Sequence, residues 1–555
     1  MTNIFIFNNA SRAAGYGIGT YVEQLSECLS VMPSIKVSFV EMNADTKEFS
    51  VIQDDKRQSH YLIPKHDSLV ESEDYCRIVF YFLARNIETC TCDNLVFQFN
   101  YFQHYPLAIL LKSRYPDSLI VQTVHYMYWA FELNGNVQYL RKITSENHSP
   151  SDYKEQQVIS SFNNERLFLN LSDIVFALSK STREILTQDY KVASDKVHLV
   201  YNGIGTKTII TNERRNRTIL FVGRLEEEKG LKYLIDAFAQ ISEIHKDATL
   251  VIVGDGNFQN FLSQSRKLHG RVVFFGKMKK EEIEGVYQSA YIGVIPSFHE
   301  QCSYTAIEMM RHGIPIIGTN AIGLNEMLDV TPELQVNIDR ESFNEENFVS
   351  QIASRMDLLL SDEETYKAAS DAVRSQYKKK YTITIKAEGV KKALSSALMI
   401  SGVKVSSDYL PHIDDYMIWL INKHPDIDTG FYGLSGIGVY LWWRILQLEK
   451  DKATNADRLV LIKEHLIYYL DWVGEMLGDE QLPIELFESL ASMRMHSFYS
   501  TKVESIMKSN NKPDESGCFP SKQMILHNAL RICTCKIWIY FLKCLKASQF
   551  AFQYA

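Results

Sequence analysis

Residues 218–230 read Thr-Ile-Leu-Phe-Val-Gly-Arg-Leu-Glu-Glu-Glu-Lys-Gly. An unbroken apolar run of strand length stops at Gly223, an arginine follows at once, and a lysine and a glycine lead into a helical pattern over 230–242. The unit then repeats. Thr249–Val253 is a strand ending in Gly254-Asp255-Gly256, and Val272–Phe275 and Ile292–Ile295 are strands separated by a helix over Lys280–Gln288. A helix follows Glu300, and Pro315–Gly318 is a further strand. Short buried strands alternating with helices imply right-handed crossovers and a doubly wound parallel sheet, with ligands at the carboxyl ends of its strands.

Outward from this stretch, the same alternation fills residues 2–200. Ile4–Phe7, Ile35–Val40, Asn94–Phe99, Leu119–Val124, Ile174–Ala177 and Val197–Val200 read as strands, with helical patterns such as Tyr21–Leu29 and Leu107–Leu111 between them. The polar run Asn212–Arg217 reads as a linker. The expectation is an α/β chain with two Rossmann-like domains, 1–210 and 211–378, facing each other across a cleft. A third region, 400–555, is expected to be an all-α extension, because Tyr416–Ile421, Gly436–Glu449 and Ala456–Leu477 are rich in Trp, Tyr and Leu and show no strand alternation.

Composition sets the outer bounds. The 555 residues exceed what one core can organise, and 46% hydrophobic with 23% charged residues is an ordinary globular balance. A net charge of −8 argues against a nucleic-acid partner. No signal-peptide pattern opens the chain, and the nearest thing to a membrane span, Ile532–Leu545, is interrupted by Lys536 and Lys543. The nine cysteines, including Cys90-Thr91-Cys92 and Cys533-Thr534-Cys535, match neither a redox nor a common zinc spacing and read as free thiols. The reading is a cytoplasmic protein. Aromatics mixed with lysines toward its end, within 500–555, suit packing on neighbouring helices or, as second choice, contact with a membrane surface or another protein.

Four elements carry chemistry. Gly15-Tyr16-Gly17-Ile18-Gly19-Thr20 lies between the first strand and the first helix, where a glycine turn and a helix N-terminus can approach a ligand closely. Arg224 and Lys229 converge on one strand terminus, a planar fork and a point charge suited to a diphosphate. In Pro296-Ser-Phe-His-Glu-Gln-Cys-Ser-Tyr-Thr-Ala-Ile-Glu308, the loop carboxylate Glu300 can grip sugar hydroxyls. The amides opening the next helix can receive a phosphate or a hydroxyl there, and Glu308 can accept from a ribose diol. His125 ends the Leu119–Val124 strand at the expected cleft. As an isolated histidine, its structural role competes with a functional one.

Taken in order, these elements resemble the family-4 retaining glycosyltransferases of GT-B fold, over about residues 1–395. Tyr201-Asn202-Gly203-Ile204 matches the family's hinge pattern, Leu178-Ser179-Lys180-Ser181 its serine motif before a helix, and Gly323 with Glu326 a feature near the donor. The segment 379–398 matches the helix that crosses back onto the first domain. The resemblance implies transfer of a sugar from a nucleotide-diphospho-sugar to a hydroxyl of a glycan, lipid or peptide acceptor. It implies Arg224 and Lys229 on the diphosphate, Glu300 and His125 as the catalytic pair beside the sugar, and the amides of Cys302, Ser303 and Tyr304 nearby. Glu308 would hold the ribose, and Gly17 and Gly19 would face donor phosphates or acceptor. No cofactor and no metal are expected. Many members carry Phe-Gly-Leu where this chain has Cys302-Ser303-Tyr304, so a serine side chain stands where the backbone meets the donor. A sugar phosphorylase of the same fold and a catalytically degenerate binding module in a peptide-modifying complex are the alternatives. Acceptor determinants are expected in the loops Tyr101–Pro106 and Tyr126–Asn136.

Beyond 400, Gly430-Phe-Tyr-Gly-Leu-Ser-Gly-Ile-Gly-Val-Tyr-Leu441 weakly resembles lanthionine-synthetase repeats. Cys518, His527, Cys533, Cys535 and Cys544 lack that family's zinc-ligand arrangement, so the region reads as a helical accessory.

Overall fold

The computed structural model describes residues 2–401 apart from 11–16, 33–34, 57, 66–71, 88–93, 146–147, 207–216 and 269, and beyond them 456–476 with five residues between 418 and 448. Gly15, most of the linker 212–217, the Cys90/Cys92 pair, nearly all of the Gly430–Leu441 stretch and the tail 500–555 lie outside the described residues.

The first sheet contains β1 (Thr2–Asn9), β2 (Ile35–Ala44), β3 (Ser50–Gln53), β4 (Ser59–Pro64), β5 (Asn94–Phe99), β6 (Leu119–Val124), β7 (Ile174–Ala177) and β8 (Val197–Leu199), in the order β3-β4-β2-β1-β5-β6-β7-β8. All neighbours are parallel except β3 and β4. This antiparallel edge hairpin departs from the expected all-parallel sheet. Its turn is closed locally, with Asp54 N donating to Gln58 O and Gln58 N to Asp54 Oδ1 (2.8 Å), and it is too short and polar to stand out as a strand pair in the sequence. Helices cover both faces of the inner strands, so β1 carries the unbroken apolar run Ile4–Phe7. Phe5, Ile6 and Phe7 are fully buried, and Phe7 stacks on Phe99 with centroids 4.4 Å apart.

The second sheet contains β9 (Thr218–Val222), β10 (Thr249–Val253), β11 (Val272–Gly276), β12 (Ile292–Ile295), β13 (Ile316–Thr319) and β14 (Gln335–Val336), all parallel, in the order β11-β10-β9-β12-β13-β14. Strand order reverses between β1 and β5 in one sheet and between β9 and β12 in the other. At such switch points the loops diverge to opposite faces and leave a crevice.

The chain returns to the first domain later than expected. Helix Glu363–Lys380 ends at Tyr381, and helix Ile383–Ser401 starts afresh, so the 379–398 span contains a break. The break exists because Ile204 pairs with it: Ile204 N donates to Tyr381 O (3.1 Å) and Ile383 N to Ile204 O (2.9 Å). The Ile383–Ser401 helix packs on helix Gly17–Ser30 and buries Lys386 to 2% exposure. The Lys386 ammonium lies 4.0 Å from the Tyr21 ring centroid and 3.4 Å from the Tyr304 hydroxyl. Burial is the main cause that pulls its pKa down to about 8.

The stretches expected as acceptor loops are largely helical. Phe102–His104 forms a 3₁₀ turn, Tyr105–Arg114 a helix with Pro106 in its first turn, and Tyr128–Glu132 a short helix that buries Trp129 completely. Residues 408–555 form a separate unit, in which Ala456–Met476 is a helix. No helix of the described residues is long and apolar enough to cross a membrane.

Two stability predictions follow from these contacts. Gly230 has φ +68°, and a Cβ there would lie 2.2 Å from the Pro296 carbonyl oxygen. Gly230→Ala is expected to cost about 2–4 kcal/mol. Gly285→Ala, on the open face of helix Lys280–Ser289, is expected to be neutral or slightly stabilising. Urea unfolding of both variants checks the pair, and equal effects would contradict the close approach. The second prediction concerns Lys386. Below pH 8 the native and unfolded states both carry its proton, and the cost of burying the charge is present in full. Between pH 8 and 10.5 the native state gives up the proton while the unfolded state keeps it, so this residue's contribution to stability rises with pH. Lys386→Met should therefore be more stable than wild type at pH 7, by about 3 kcal/mol, and the advantage should shrink toward pH 10. An advantage independent of pH, measured by unfolding across that range, would contradict a buried charge.

Candidate active site

The second-domain half of the site is built where β9 and β10 continue past their sheet. Gly223 N donates to Val253 O (3.0 Å), Leu225 N to Asp255 O (2.9 Å), and a bridge pairs Leu225 with Gly256. A Cβ on Gly254 would lie 1.7 Å from the Gly223 carbonyl oxygen, so the Gly-Asp-Gly motif is the condition for this approach. The paired ends carry Arg224 out of the sheet, where its guanidinium bonds Glu226 (2.5 Å) and Glu228 (3.2 Å).

A single 3₁₀ turn, Glu227–Lys229, then closes on Gly230 and helix Leu231–Ser242. Phe298 N donates to Glu228 O (2.8 Å), pinning this turn against the loop after β12. As a result Lys229 Nζ meets Glu300 Oε1 at 2.7 Å, with the side chains 18% and 15% exposed. The expected diphosphate cation and the expected sugar-side carboxylate are thus one ion pair. Each holds the other in place, and a ligand bearing both phosphate and hydroxyls could take over both partners.

Past Glu300, Ser303 caps helix Tyr304–His312, its Oγ accepting from Ala306 N (3.3 Å). The serine that replaces the family's glycine is therefore turned back onto its own helix. The first amides of that helix present the positive end of its dipole beside Lys229 and Glu300. Glu308, one turn further, accepts a hydrogen bond from the Tyr287 hydroxyl at 2.6 Å, which fixes its orientation. Cys302 is buried, and burial raises its thiol pKa to about 12; its carbonyl accepts from Asn202 Nδ2 (2.7 Å).

The first-domain half centres on His125, just past β6. Asn100 spends its amide nitrogen on Phe7 O (2.9 Å), so its Oδ1 faces His125 Nε2 at 3.0 Å. Nε2 must therefore carry the proton, leaving the Nδ1 lone pair as an acceptor. Burial, with the charge of Lys386 adding to it, lowers the pKa of His125 to about 3, so the ring is neutral at physiological pH. Tyr21 packs edge-on against it (4.5 Å between centroids) and is itself held by Thr123 Oγ1 at 2.9 Å. Gly17 and Gly19 form the first turn of helix Gly17–Ser30, and space is open where a Gly17 Cβ would stand.

The domains meet around the same loop. Phe131 packs edge-on against His299 (5.3 Å), Arg340 Nε donates to Asn134 O (3.0 Å), and Lys180 N donates to Glu326 Oε2 (2.7 Å). Part of the 126–136 segment therefore contacts the second domain. Sequence reasoning passed over Lys386, Asn100, Thr182 and Gln301. Gln301 lies within the Pro296–Glu308 motif and Thr182 just after Leu178–Ser181, but the motifs give neither residue a role, and only the fold brings them together. A lysine within an otherwise apolar turn of the crossing helix was the one available signal.

Residues 17–208 match the family described as Glycosyltransferase Family 4, and residues 216–362 match Glycosyl transferases group 1. An uncharacterized glycosyltransferase of Methanocaldococcus jannaschii is 34% identical over 172 residues, which are 28% of this chain and 44% of that protein. A glycogen synthase of Mycobacterium tuberculosis is 31% identical over 163 residues, 28% of this chain and 39% of that protein. The chain thus spans less than half the length of these relatives. In fold it is similar to sucrose-phosphate synthase of Thermosynechococcus elongatus, with a TM-score of 0.57 at 18% identity over 72% of this chain and all of the other. An Anabaena protein solved with UDP and glucose gives a TM-score of 0.50 at 15% identity over 71% of this chain and 99% of the other. The resemblance of the extension to lanthionine-synthetase repeats is not borne out, since the family matches end at 362. With the two family patterns in order, together over more than half of its length, on two facing Rossmann-like domains, this chain belongs to the group 1, family-4 glycosyltransferases.

Proposed function

We propose that the protein is a retaining glycosyltransferase that moves a sugar from a nucleotide-diphospho-sugar to a hydroxyl acceptor. The observation that carries the reading is the Lys229–Glu300 pair (2.7 Å) set at the amino end of helix Tyr304–His312, on the strand ends that flank the second sheet's switch point. A diphosphate displaces Glu300 from Lys229 and Glu226/Glu228 from Arg224, and its charge is shared with the helix terminus. Glu300, released, accepts from hydroxyls of the transferred sugar. Neutral His125 offers Nδ1 to another hydroxyl, and Glu308 takes the ribose diol.

As the bond from the anomeric carbon to the diphosphate oxygen lengthens, negative charge gathers where Lys229, Arg224 and the helix dipole stand. The acceptor oxygen bonds to the anomeric carbon on the same face, and its proton passes to the departing diphosphate, so configuration is retained and no external base is consumed. The two cations and the helix end supply the leaving-group stabilisation that a divalent metal gives elsewhere, which supports a metal-independent reaction. The similarity to a protein solved with UDP and glucose supports a nucleotide sugar as donor. Buried free thiols at Cys28, Cys76 and Cys302 suit the reducing cytoplasm.

The test is release of nucleoside diphosphate from nucleotide sugars, with and without hydroxyl acceptors. Acceptor-dependent release is expected. Glu300→Ala should lower it by about 100- to 1,000-fold, and a chelator should leave it unchanged. Release that needs the chelated metal contradicts the metal-free route. Sugar release driven by inorganic phosphate would indicate a phosphorylase, and tight binding without turnover a binding module.

A further inference from the structure

The two residues that follow Glu300 are both held from the other domain. Thr182 Oγ1 donates to Gln301 Oε1, and Asn202 Nδ2 donates to the Cys302 carbonyl at 2.7 Å. Thr182 lies fully buried in the first turn of helix Lys180–Gln188. Ser179 caps that helix, its Oγ accepting from Thr182 N at 3.0 Å and lying 2.7 Å from the Thr182 hydroxyl. Because Gln301 Oε1 can only accept, the Thr182 proton is directed to it and the Ser179 proton to Thr182. A one-way chain of hydrogen bonds therefore runs from the first domain into the Glu300 loop.

At the receiving end Thr182 is the partner that orients the Gln301 side chain. Gln301 is 5% exposed and its Nε2 has no partner, so Thr182 alone sets the rotation of the amide. On the second-domain side the backbone of Glu300 bridges to Gly323, where a Cβ would stand 1.8 Å from Gln301 O; the loop cannot move that way. The groups read as nucleotide contacts are anchored differently. Arg224 is held by Glu226 and Glu228, Glu308 by Tyr287, and Lys229 by Glu300 on a turn pinned by Phe298 N to Glu228 O, all within the second domain.

We propose that Thr182 and Gln301 are positioning residues for Glu300, so that recognition of the transferred sugar, but not of the nucleotide, depends on contact between the two domains. This rests on the reading of Glu300 as the sugar-side carboxylate. Gln301 directly precedes the Cys302-Ser303-Tyr304 run in which this chain departs from the family's usual residues, and Thr182 faces it from helix Lys180–Gln188, so the consequence is particular to chains carrying Gln301 opposite a hydroxyl.

The experiment uses the full chain and four variants: Thr182→Val, Thr182→Ser, Gln301→Leu and the Thr182→Val/Gln301→Leu double. Affinity is measured for whichever of UDP, GDP, ADP and dTDP binds wild type, and for that nucleotide's glucose, galactose, mannose and N-acetylglucosamine conjugates. Amide exchange is followed over 299–304. Thr182→Val should leave the nucleotide Kd within about twofold, remove about fivefold or more of the extra affinity for the preferred conjugate, and speed exchange of the loop by a similar factor. Thr182→Ser should restore both, and Gln301→Leu should add nothing in the Thr182→Val background. Unchanged conjugate affinity and exchange in Thr182→Val overturn the proposal, as do failure of serine to rescue and a parallel loss of nucleotide affinity. If none of the four nucleotides binds wild type, the failure belongs to the donor-site reading itself and removes the basis of this one.

Discussion

Gly230 and Pro296 stand closer than any side chain at position 230 would permit, and the site is arranged around that contact. It lets the turn after β9 lie against the loop after β12. Those strands flank the point where strand order reverses, so the two loops are neighbours that a continuous sheet order would have covered with a crossing helix. Lys229 and Glu300, 71 residues apart, become an ion pair as a consequence. The Gly254–Gly223 approach does the same for Arg224 on the other side of β9.

Charge in this site is held in pairs. Arg224 rests on Glu226 and Glu228, and Lys229 on Glu300. Pairing keeps two cations and a helix terminus together without a bound anion, and the same carboxylates are close enough to take up new roles when an anion displaces them. Exchanging a carboxylate for a diphosphate leaves each cation paired, which avoids the cost of an uncompensated charge. Lys386 is the exception. It is buried against the Tyr21 ring and the Tyr304 hydroxyl, and the helix that carries it is committed to the domain interface by the Ile204 pairing. The neutral state of His125 follows from the same surroundings, since burial and a nearby ammonium both disfavour the imidazolium.

Much of this was legible in the sequence wherever one residue type met one local requirement. Apolar runs buried on both faces marked β5, β6, β7, β9, β10 and β12 to the residue, because parallel strands covered by helices tolerate few polar residues. The glycines of Gly254-Asp-Gly256 and Lys229-Gly230 marked close backbone approaches. What stayed hidden was set by tertiary contact. The β3–β4 hairpin is short and lies at an edge, and the break at Tyr381-Thr382 is imposed by Ile204 from 178 residues away. The sequence places a Ser303 side chain where the backbone meets the donor, and the structure turns its hydroxyl back to cap its own helix, a choice decided by rotamer. Thr182 and Gln301 sit in or beside the sequence motifs, but their pairing has no local signal, since it arises only when two domains face each other.

The central claim is that Arg224, Lys229 and the Tyr304–His312 helix terminus form the binding site for a nucleoside diphosphate. Thermal unfolding with UDP, GDP, ADP or dTDP, without added metal, addresses it directly. One nucleotide at about a hundredfold excess over its Kd should stabilise wild type by about 2.7 kcal/mol, raising Tm by a few degrees, and the rise should vanish in Arg224→Ala. No rise with any of the four, or a rise kept in full by Arg224→Ala, would contradict the assignment.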